Sequence, residues 1–331
     1  MRMADATAMQ EAKQMPGCCA ALRCYPGWRR RSSLRRRCRG VAVVAVMWIV
    51  AALALLVVGM AAGTRADIRA AQVARAEAEA SAFGDAAIQL AALEMRTSAE
   101  PLRTAAMREY EFEGRPIQVD IRPVEGYIDL NNASDTLLRD LFLIGAGLPQ
   151  EQAEALAQRV VDWRDPDQMP LPLGAENDAY QAAGSPNLTR GEKLTQPEDL
   201  LQILGMTLDV YDKIEHFVTV FGASGVDPKA ATPAVLAILA KGNIELASKI
   251  AAARDSGDPA IDMTGLEQAH LAAASGNRFR VEARLETDGR LVSRVRWIDF
   301  SEPGPFGLPW RTLRVEPPRG ITPQPALPPG G

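Results

Sequence analysis

Beyond Gly40 the sequence has no cysteine. All four, Cys18, Cys19, Cys24 and Cys38, come before it. A body without cysteine is held by no disulfide and builds no cysteine-ligated metal site. Histidine is almost as scarce, with only His216 and His270. Neither sits in a Ser or Cys constellation, and no Gly-rich phosphate loop follows a strand. No pair of carboxylates is marked as an acid/base couple in a pocket, so the chain reads as a non-enzyme. Basic charge is also short where a nucleic-acid binder would need it. Residues 1–40 hold ten of the 37 basic residues and two of the 41 acidic ones. The remainder therefore has 27 basic and 39 acidic residues, a net −12. That balance opposes general binding to a phosphate backbone, and no nucleic-acid partner is expected.

One apolar run is present. Eight arginines between Arg23 and Arg39 stop at Gly40, and the 23 residues from Val41 to Gly63 carry no charge. As a helix they reach roughly 35 Å, enough for a hydrocarbon core of about 30 Å. In lipid the backbone must satisfy its own hydrogen bonds, so a helix is required. The arginines place the N-terminus in the cytoplasm and the body on the far side. The run exceeds the 7–15 residues usual for a signal-peptide core, although Met60-Ala-Ala-Gly63 imitates a cleavage site. An uncut signal anchor is the plain alternative.

Arg39-Gly40 followed by Val41-Ala-Val-Val-Ala-Val-Met-Trp-Ile-Val50 resembles the prepilin leader of type IV pilins and type II secretion pseudopilins. The resemblance implies that a prepilin peptidase cuts between Gly40 and Val41, that the new N-terminus is methylated, and that the apolar helix is kept. Two positions depart from the common pattern. Val41 stands where phenylalanine is usual, and Ala45 stands where a glutamate neutralises a neighbouring amine in an apolar bundle. The branch of minor pseudopilins called protein K lacks that glutamate. A leader of 40 residues is long for the family.

From Thr64 to about Met95 the chain is alanine-rich, charged and free of proline, which predicts a helix continuing past the apolar run. Alternation in Glu109–Pro123 around Glu113-Gly114 predicts a hairpin. So does Arg278–Phe300 around Asp288-Gly289. Between them lie about 150 residues of helical pattern, so one sheet built from both ends implies a helical insertion. The expected class is α+β: a pseudopilin fold with a long N-terminal transmembrane helix, a small antiparallel sheet and a large inserted helical domain, SAM-like or helix-hairpin-helix-like. The expected division is a leader at 1–40 and a transmembrane helix at 41–63. A helix extension with the first strands covers 64–130, and the insert with two repeats covers 131–275. C-terminal strands follow at 276–301, then a disordered Pro/Gly-rich tail at 302–331.

The insert repeats itself. Ile128-Asp-Leu-Asn-Asn-Ala-Ser-Asp-Thr-Leu-Leu138 matches Val226-Asp-Pro-Lys-Ala-Ala-Thr-Pro-Ala-Val-Leu236 at an offset of 98. Each copy puts a Ser or Thr where it can cap a helix. Each leads to a second helix ending in Arg-Asp, from Pro149 to Trp163 and from Asn243 to Arg254. Thr195-Gln-Pro-Glu198 predicts a capping box opening a helix over Glu198–Leu204. The unit resembles a helix-hairpin-helix module, with Gly145-Ala-Gly147 and Gly242 at the hairpins. Helical packing and phosphate contact are both open to such a unit. The stretch Leu137–Ala157 offers one arginine, Arg139, against several acids.

Asp162–Tyr180 gathers Asp162, Asp165, Asp167, Glu176 and Asp178 within 17 residues of Pro- and Gly-broken chain. Hard cations such as Ca2+ take six to eight oxygens from such segments. A solvated acidic loop is the alternative. The wording Asp162-Trp-Arg-Asp-Pro-Asp167, Gly174-Ala-Glu176 with Tyr180, and Leu204-Gly-Met206 resembles the protein K family, as do Asp129-Leu-Asn-Asn-Ala133 and Val218-Thr-Val220. The resemblance implies Ca2+ at this loop, with Asp165, Asp167, Glu176 and Asp178 as ligands. It also implies a minor pseudopilin at the tip of a pseudopilus, which helps start assembly for export of folded proteins across the outer membrane. The implied partners are the minor pseudopilins I and J, the major pseudopilin, the prepilin peptidase, the inner-membrane assembly platform and secreted substrates. The implied site is the bacterial inner membrane, single-pass, with the body in the periplasm. The alternative reading is a membrane-anchored helix-hairpin-helix DNA-binding protein of competence type.

Overall fold

The structure is a computed structural model, and it describes residues 39–98, 102–258, 260–273, 276–287 and 289–321. The arginine cluster up to Arg37, the four cysteines and the last ten residues lie outside these. Helix α1 (Arg39–Thr97) is followed by strands β1 (Ala106–Phe112) and β2 (Arg115–Pro123). Then come β3 (Ile128–Asp129), α2 (Asp135–Asp140), α3 (Gln150–Arg164), α4 (Asn177–Ala182), α5 (Leu208–Ile214), β4 (Val218–Thr219), α6 (Pro233–Leu239) and α7 (Ile244–Asp255). Strands β5 (Arg278–Thr287), β6 (Arg290–Asp299) and β7 (Arg311–Gly320) close the order.

The chain divides at Arg65 into two units. In the first, Ala42–Gly59 is one stretch of helix long and apolar enough to cross a membrane, with its side chains exposed. Gly40 and Val41 occupy the first turn of α1.

In the second unit the strands form an antiparallel sheet in the order β1-β2-β5-β6-β7. Both expected hairpins are present. Glu113 and Gly114 each take positive φ, 53° and 74°, the backbone a tight two-residue hairpin turn requires. One sheet face, carrying Ile117, Val119, Ile121, Phe279, Val281, Ala283 and Leu285, packs on α1 through Ala80, Ala87, Ile88, Ala91 and Ala92. The alanines let helix and sheet approach closely, and no side chain fits at Gly84, where a Cβ would lie 2.7 Å from Arg294 Cβ. Asp85, one residue on, accepts from both Arg294 and Arg296 at 2.6–3.2 Å.

The opposite face carries a charge ladder. Burial works to raise Glu282, but Arg280 and Arg284 outweigh it and hold the carboxyl at about 2. Beside the ladder, Val124, Tyr127, Val295 and Trp297 form a small core with Phe221, joining the sheet to the insert.

The tail expected to be disordered after Phe300 is instead a fifth strand over 311–320, paired with β6. Pro317 and Pro318 lack N–H groups and would break a central strand. Adjacent N–H positions point to opposite sides of a strand, so one proline faces the open edge and discourages further pairing, and the register shift between Ser293 and Val295 accommodates the other. Residues 322–331 lie outside the described residues.

Residues 124–277, the insert, enter and leave between the adjacent strands β2 and β5. It has its own core, with Leu137, Leu138, Leu141, Phe142, Val160, Trp163, Tyr180, Leu236 and Leu239 fully buried. Its short strands β3 and β4 pair in parallel. The repeat is visible in detail. Ser134 and Thr232 cap α2 and α6 by accepting from Leu137 and Val235 N–H. Arg164 at the end of α3 donates to the carbonyl of Ala133, 2.7 Å. Arg254 near the end of α7 donates to the carbonyl of Ala231, the residue equivalent to Ala133 at the offset of 98.

The capping box falls one residue later than expected. The turn is a 3-10 helix over Pro197–Gln202, and the reaching acid is Asp199, which accepts from Thr195 N–H at 2.8 Å and Gln196 N–H at 3.3 Å. Asp199 is buried and Glu198 is engaged elsewhere, paired with Arg314 of β7, so the competition between adjacent acids is decided by tertiary contacts.

Between the two repeats lies a buried joint. His270 is 2% exposed. Its Nε2 lies 3.2 Å from Thr136 Oγ1, and its Nδ1 lies 3.9 Å from Asp140 Oδ2. Asp140 is also paired with Arg139 and Lys241, and Lys241 lies 3.7 Å from Glu267. Burial foremost pushes His270 below its ordinary 6.5; Asp140 pulls it up and Lys241 pushes it down. A native state that takes the proton less readily than the unfolded chain loses stability as pH falls. The contribution is complete above about pH 6.5 and is lost as pH drops through the native value of His270. Melting curves from pH 7.5 down to pH 5 should therefore show a falling melting temperature, and His270→Gln should flatten that fall. An equal slope in wild type and variant would remove His270 as the cause.

Candidate metal centre

The site begins with α3. Its inward stripe is Ala153, Leu156, Ala157, Val160 and Trp163, at helical spacing. Asp162 lies beside that stripe and is fully buried. Trp163 packs against Tyr180, ring centres 5.8 Å apart. The helix end is pinned because Arg164 bonds the carbonyls of Leu130 and Ala133. The next residue, Asp165, precedes Pro166 and is extended, φ −85° and ψ 155°, as a residue before proline must be to escape its ring. The chain therefore leaves α3 in a set direction.

The returning loop is shaped by Asp162. Its carboxylate accepts from Leu171 N–H at 3.2 and 3.3 Å. The space beside it admits only glycine, since a Cβ on Gly174 would fall 1.8 Å from Asp162 Oδ2. Glu176 follows and opens α4. Tyr180, one turn on, accepts from Leu204 N–H at 3.0 Å, so the Gly-Ala-Glu…Tyr and Leu-Gly-Met motifs meet in space. Arg159 donates to Leu204 O at 2.8 Å from the same side.

This path brings Asp165, Asp167 and Glu176 together, with one carboxylate oxygen from each within 4.8 Å of the others. Asp178, also expected as a ligand, is exposed in the first turn of α4 and is outside that group. Asp162 is the loop's internal anchor. Among the buried side-chain oxygens, Asp165 Oδ1 and Glu176 Oε1 have no hydrogen-bond partner. Glu176 is 5% exposed. Asp167 Oδ1 accepts from Met169 N–H at 2.8 Å, and Glu176 Oε2 accepts from Thr189 Oγ1 at 3.0 Å.

Burial pushes Asp165 up, and the neighbouring Asp167 adds to it. Burial pushes Glu176 up as well; Thr189 pulls it down, and Asp162, Asp165 and Asp167 push it up. An orphaned buried carboxylate oxygen costs free energy, and three acids at this spacing repel one another. A hard cation relieves both. The donor set, all carboxylate oxygen on irregular backbone, fits Ca2+ and offers nothing to a soft metal.

The histidines supply no reactive group here. His216 is exposed, and His270 belongs to the joint between the repeats. Thr136, His270 and Asp140 align like a nucleophile, a base and its orienter, but 3.9 Å from Nδ1 to Asp140 is beyond hydrogen-bond reach.

Residues 128–223, which contain the whole acidic cluster, match the family model of type II secretion system protein K, first domain. The chain is similar to protein K over this region. Curated relatives agree. Type II secretion system protein K of Pectobacterium carotovorum subsp. carotovorum is 26% identical over 208 residues, 56% of this chain and 63% of the relative. A putative protein K of Escherichia coli strain K12 is 30% identical over 79 residues, 24% of each chain. The chain thus spans less than two thirds of the length of the curated relatives it matches. Among solved structures, a chain of the GspK-GspI-GspJ complex from enterotoxigenic Escherichia coli has the same fold. The TM-score is 0.51 at 15% identity, covering 78% of this chain and 99% of that one. The likeness is one of fold: α+β, with a small antiparallel sheet and many helices.

Proposed function

We propose that this chain is a minor pseudopilin of the type II secretion system. In this reading it is a tip subunit that helps start the pseudopilus through which folded proteins leave across the outer membrane. The observation that carries the reading is the placement of the protein K domain between adjacent strands of a sheet packed on the helix that begins at the Arg39-Gly40 boundary. The chain acts by assembly and not by catalysis. Its insert is read as two helix-hairpin-helix-like units, supported by the matching caps and carbonyl-holding arginines.

The peptidase cuts between Gly40 and Val41, the helix anchors the protein in the inner membrane, and the body lies in the periplasm. Pseudopilins I and J are the neighbours, by analogy with the solved complex. The major pseudopilin and the assembly platform complete the contacts, with secreted substrates at the tip. Ala45 in place of an acid suits a tip position, where no subunit above presents an amine. Asp165, Asp167 and Glu176 hold a Ca2+ ion that neutralises their mutual repulsion and fixes the loop.

Intact mass of the membrane-extracted protein, with and without prepilin peptidase, tests the reading. The expected species begins at methylated Val41. A mass that keeps the arginines and cysteines in the presence of active peptidase would make the segment an uncut anchor and end the pseudopilin assignment.

A further inference from the structure

We propose that Thr189 is a positioning residue of the cation site: it holds Glu176 by one oxygen so that the other is presented to Ca2+. The inference rests on the Ca2+ reading of Asp165, Asp167 and Glu176.

The two oxygens of Glu176 are not alike. Oε2 accepts from Thr189 Oγ1 at 3.0 Å, whereas Oε1 is buried with no partner. Thr189 is itself fixed. Its backbone N–H donates to Asn177 Oδ1 at 2.9 Å, and Asn177 Nδ2 donates to Gln168 Oε1 at 2.7 Å. The Thr189 hydroxyl lies 2.9 Å from that same Asn177 oxygen and has one proton to give; the charged carboxylate of Glu176 is the stronger acceptor, and the Asn177 oxygen keeps the backbone N–H. A relay therefore runs from Gln168, just after the first two acids, through Asn177 to Thr189 and back to Glu176. Gln168, Asn177 and Thr189 lie outside the acidic group, and their bonds leave Asp165 Oδ1 and Glu176 Oε1 unpartnered. These two oxygens are therefore the ones the cluster offers to an ion.

The chemistry follows. A carboxylate tied by one oxygen presents the other to a cation, and its rotation is hindered. Such supporting bonds fix ligand geometry, and their loss commonly weakens metal binding about 10- to 100-fold. Without the hydroxyl, Glu176 is free to turn away or to present both oxygens, and the prepared geometry is gone.

The test uses the full chain in detergent micelles, depleted of divalent ions with EDTA and then titrated with CaCl2 by calorimetry. Thr189→Val should raise the Kd for Ca2+ about tenfold or more, and Thr189→Ser, which keeps the hydroxyl, should stay within about threefold of wild type. Melting temperatures in EDTA should match wild type for both, which a merely structural role of Thr189 would not allow. Thr189→Ala, which adds no bulk, gives the same reading if valine does not fold. Glu176→Gln serves as the control for the site itself. Should Thr189→Val bind like wild type while Glu176→Gln binds weakly, the positioning role is overturned and the site stands. Should wild type bind no Ca2+ up to millimolar concentration, the site reading fails and the inference with it.

Discussion

Asp85→Ala is expected to be the most destabilising single change outside the insert. Asp85 lies on α1 with its side chain 25% exposed, and it accepts from the guanidiniums of both Arg294 and Arg296 on β6. Burial alone would raise its carboxyl, but Arg296 and Arg294 bring it below the ordinary carboxylate value. Removing the acid leaves two cations, largely shielded from water, facing each other between helix and sheet. Breaking such a pair from one side costs about 3–5 kcal/mol, because the remaining charge keeps its desolvation penalty. At about 3 kcal/mol the melting temperature of a body this size should fall by roughly 6–12 °C. Asp85→Asn, which keeps an acceptor, should cost less. Thermal denaturation of both variants decides the point. A loss under about 1 kcal/mol for alanine would show that Asp85 is only a surface partner.

Gly174→Ala should damage the acidic loop as severely and more locally. The added methyl would lie 1.8 Å from Asp162 Oδ2 and 2.7 Å from its Cγ. Asp162 has no room to retreat, being fully buried and bonded to Leu171 N–H. Either the carboxylate gives up its partner, or the loop lifts and takes Glu176 with it. Overpacking of this kind costs about 1–3 kcal/mol, and an orphaned buried carboxylate adds about as much again. The variant should therefore lose several degrees of melting temperature and, on the Ca2+ site proposed above, most of the affinity for the ion together. Wild-type affinity in Gly174→Ala would mean that the loop backbone, and not Asp162, sets the position of Glu176.

Local chemistry made much of this legible. Both hairpins, the helical insertion between strands and the repeat with its caps follow from alternation, turn residues and N-cap spacing. These signals act within a few residues and are hard to override. What escaped depends on distant partners. Strand β7 was hidden by Pro317 and Pro318, which read as a tail unless one knows that the strand lies at an edge. Its Thr312–Glu316 alternation was the available signal. The choice of Asp199 over Glu198 as the capping acid required knowing that Arg314 claims Glu198. In the acidic loop, Asp178 looks equivalent to Glu176 on composition, but a helix start rotates it out to solvent. Thr189 carries no composition signal at all, since its role comes from a fold-back of the loop. Among the missed features, the carbonyl-holding arginines were the nearest to being readable, as the Arg-Asp ending of both repeats was already visible.

Strands β2 and β5 are neighbours in the sheet, yet residues 124–277 separate them along the chain. Their pairing must wait for a long loop to close, a slow step unless something draws the ends together first. The insert, with its own core, can fold before the sheet does. Once folded it holds its two ends near each other, through Asp227 N–H on Glu125 O at 2.8 Å and Arg278 on Phe221 O at 2.8 Å. The β1–β2 hairpin and the β5–β6–β7 meander would then meet as preformed halves. On this view the insert sets the folding rate of the sheet, and lesions in its core should slow refolding of strands they never touch.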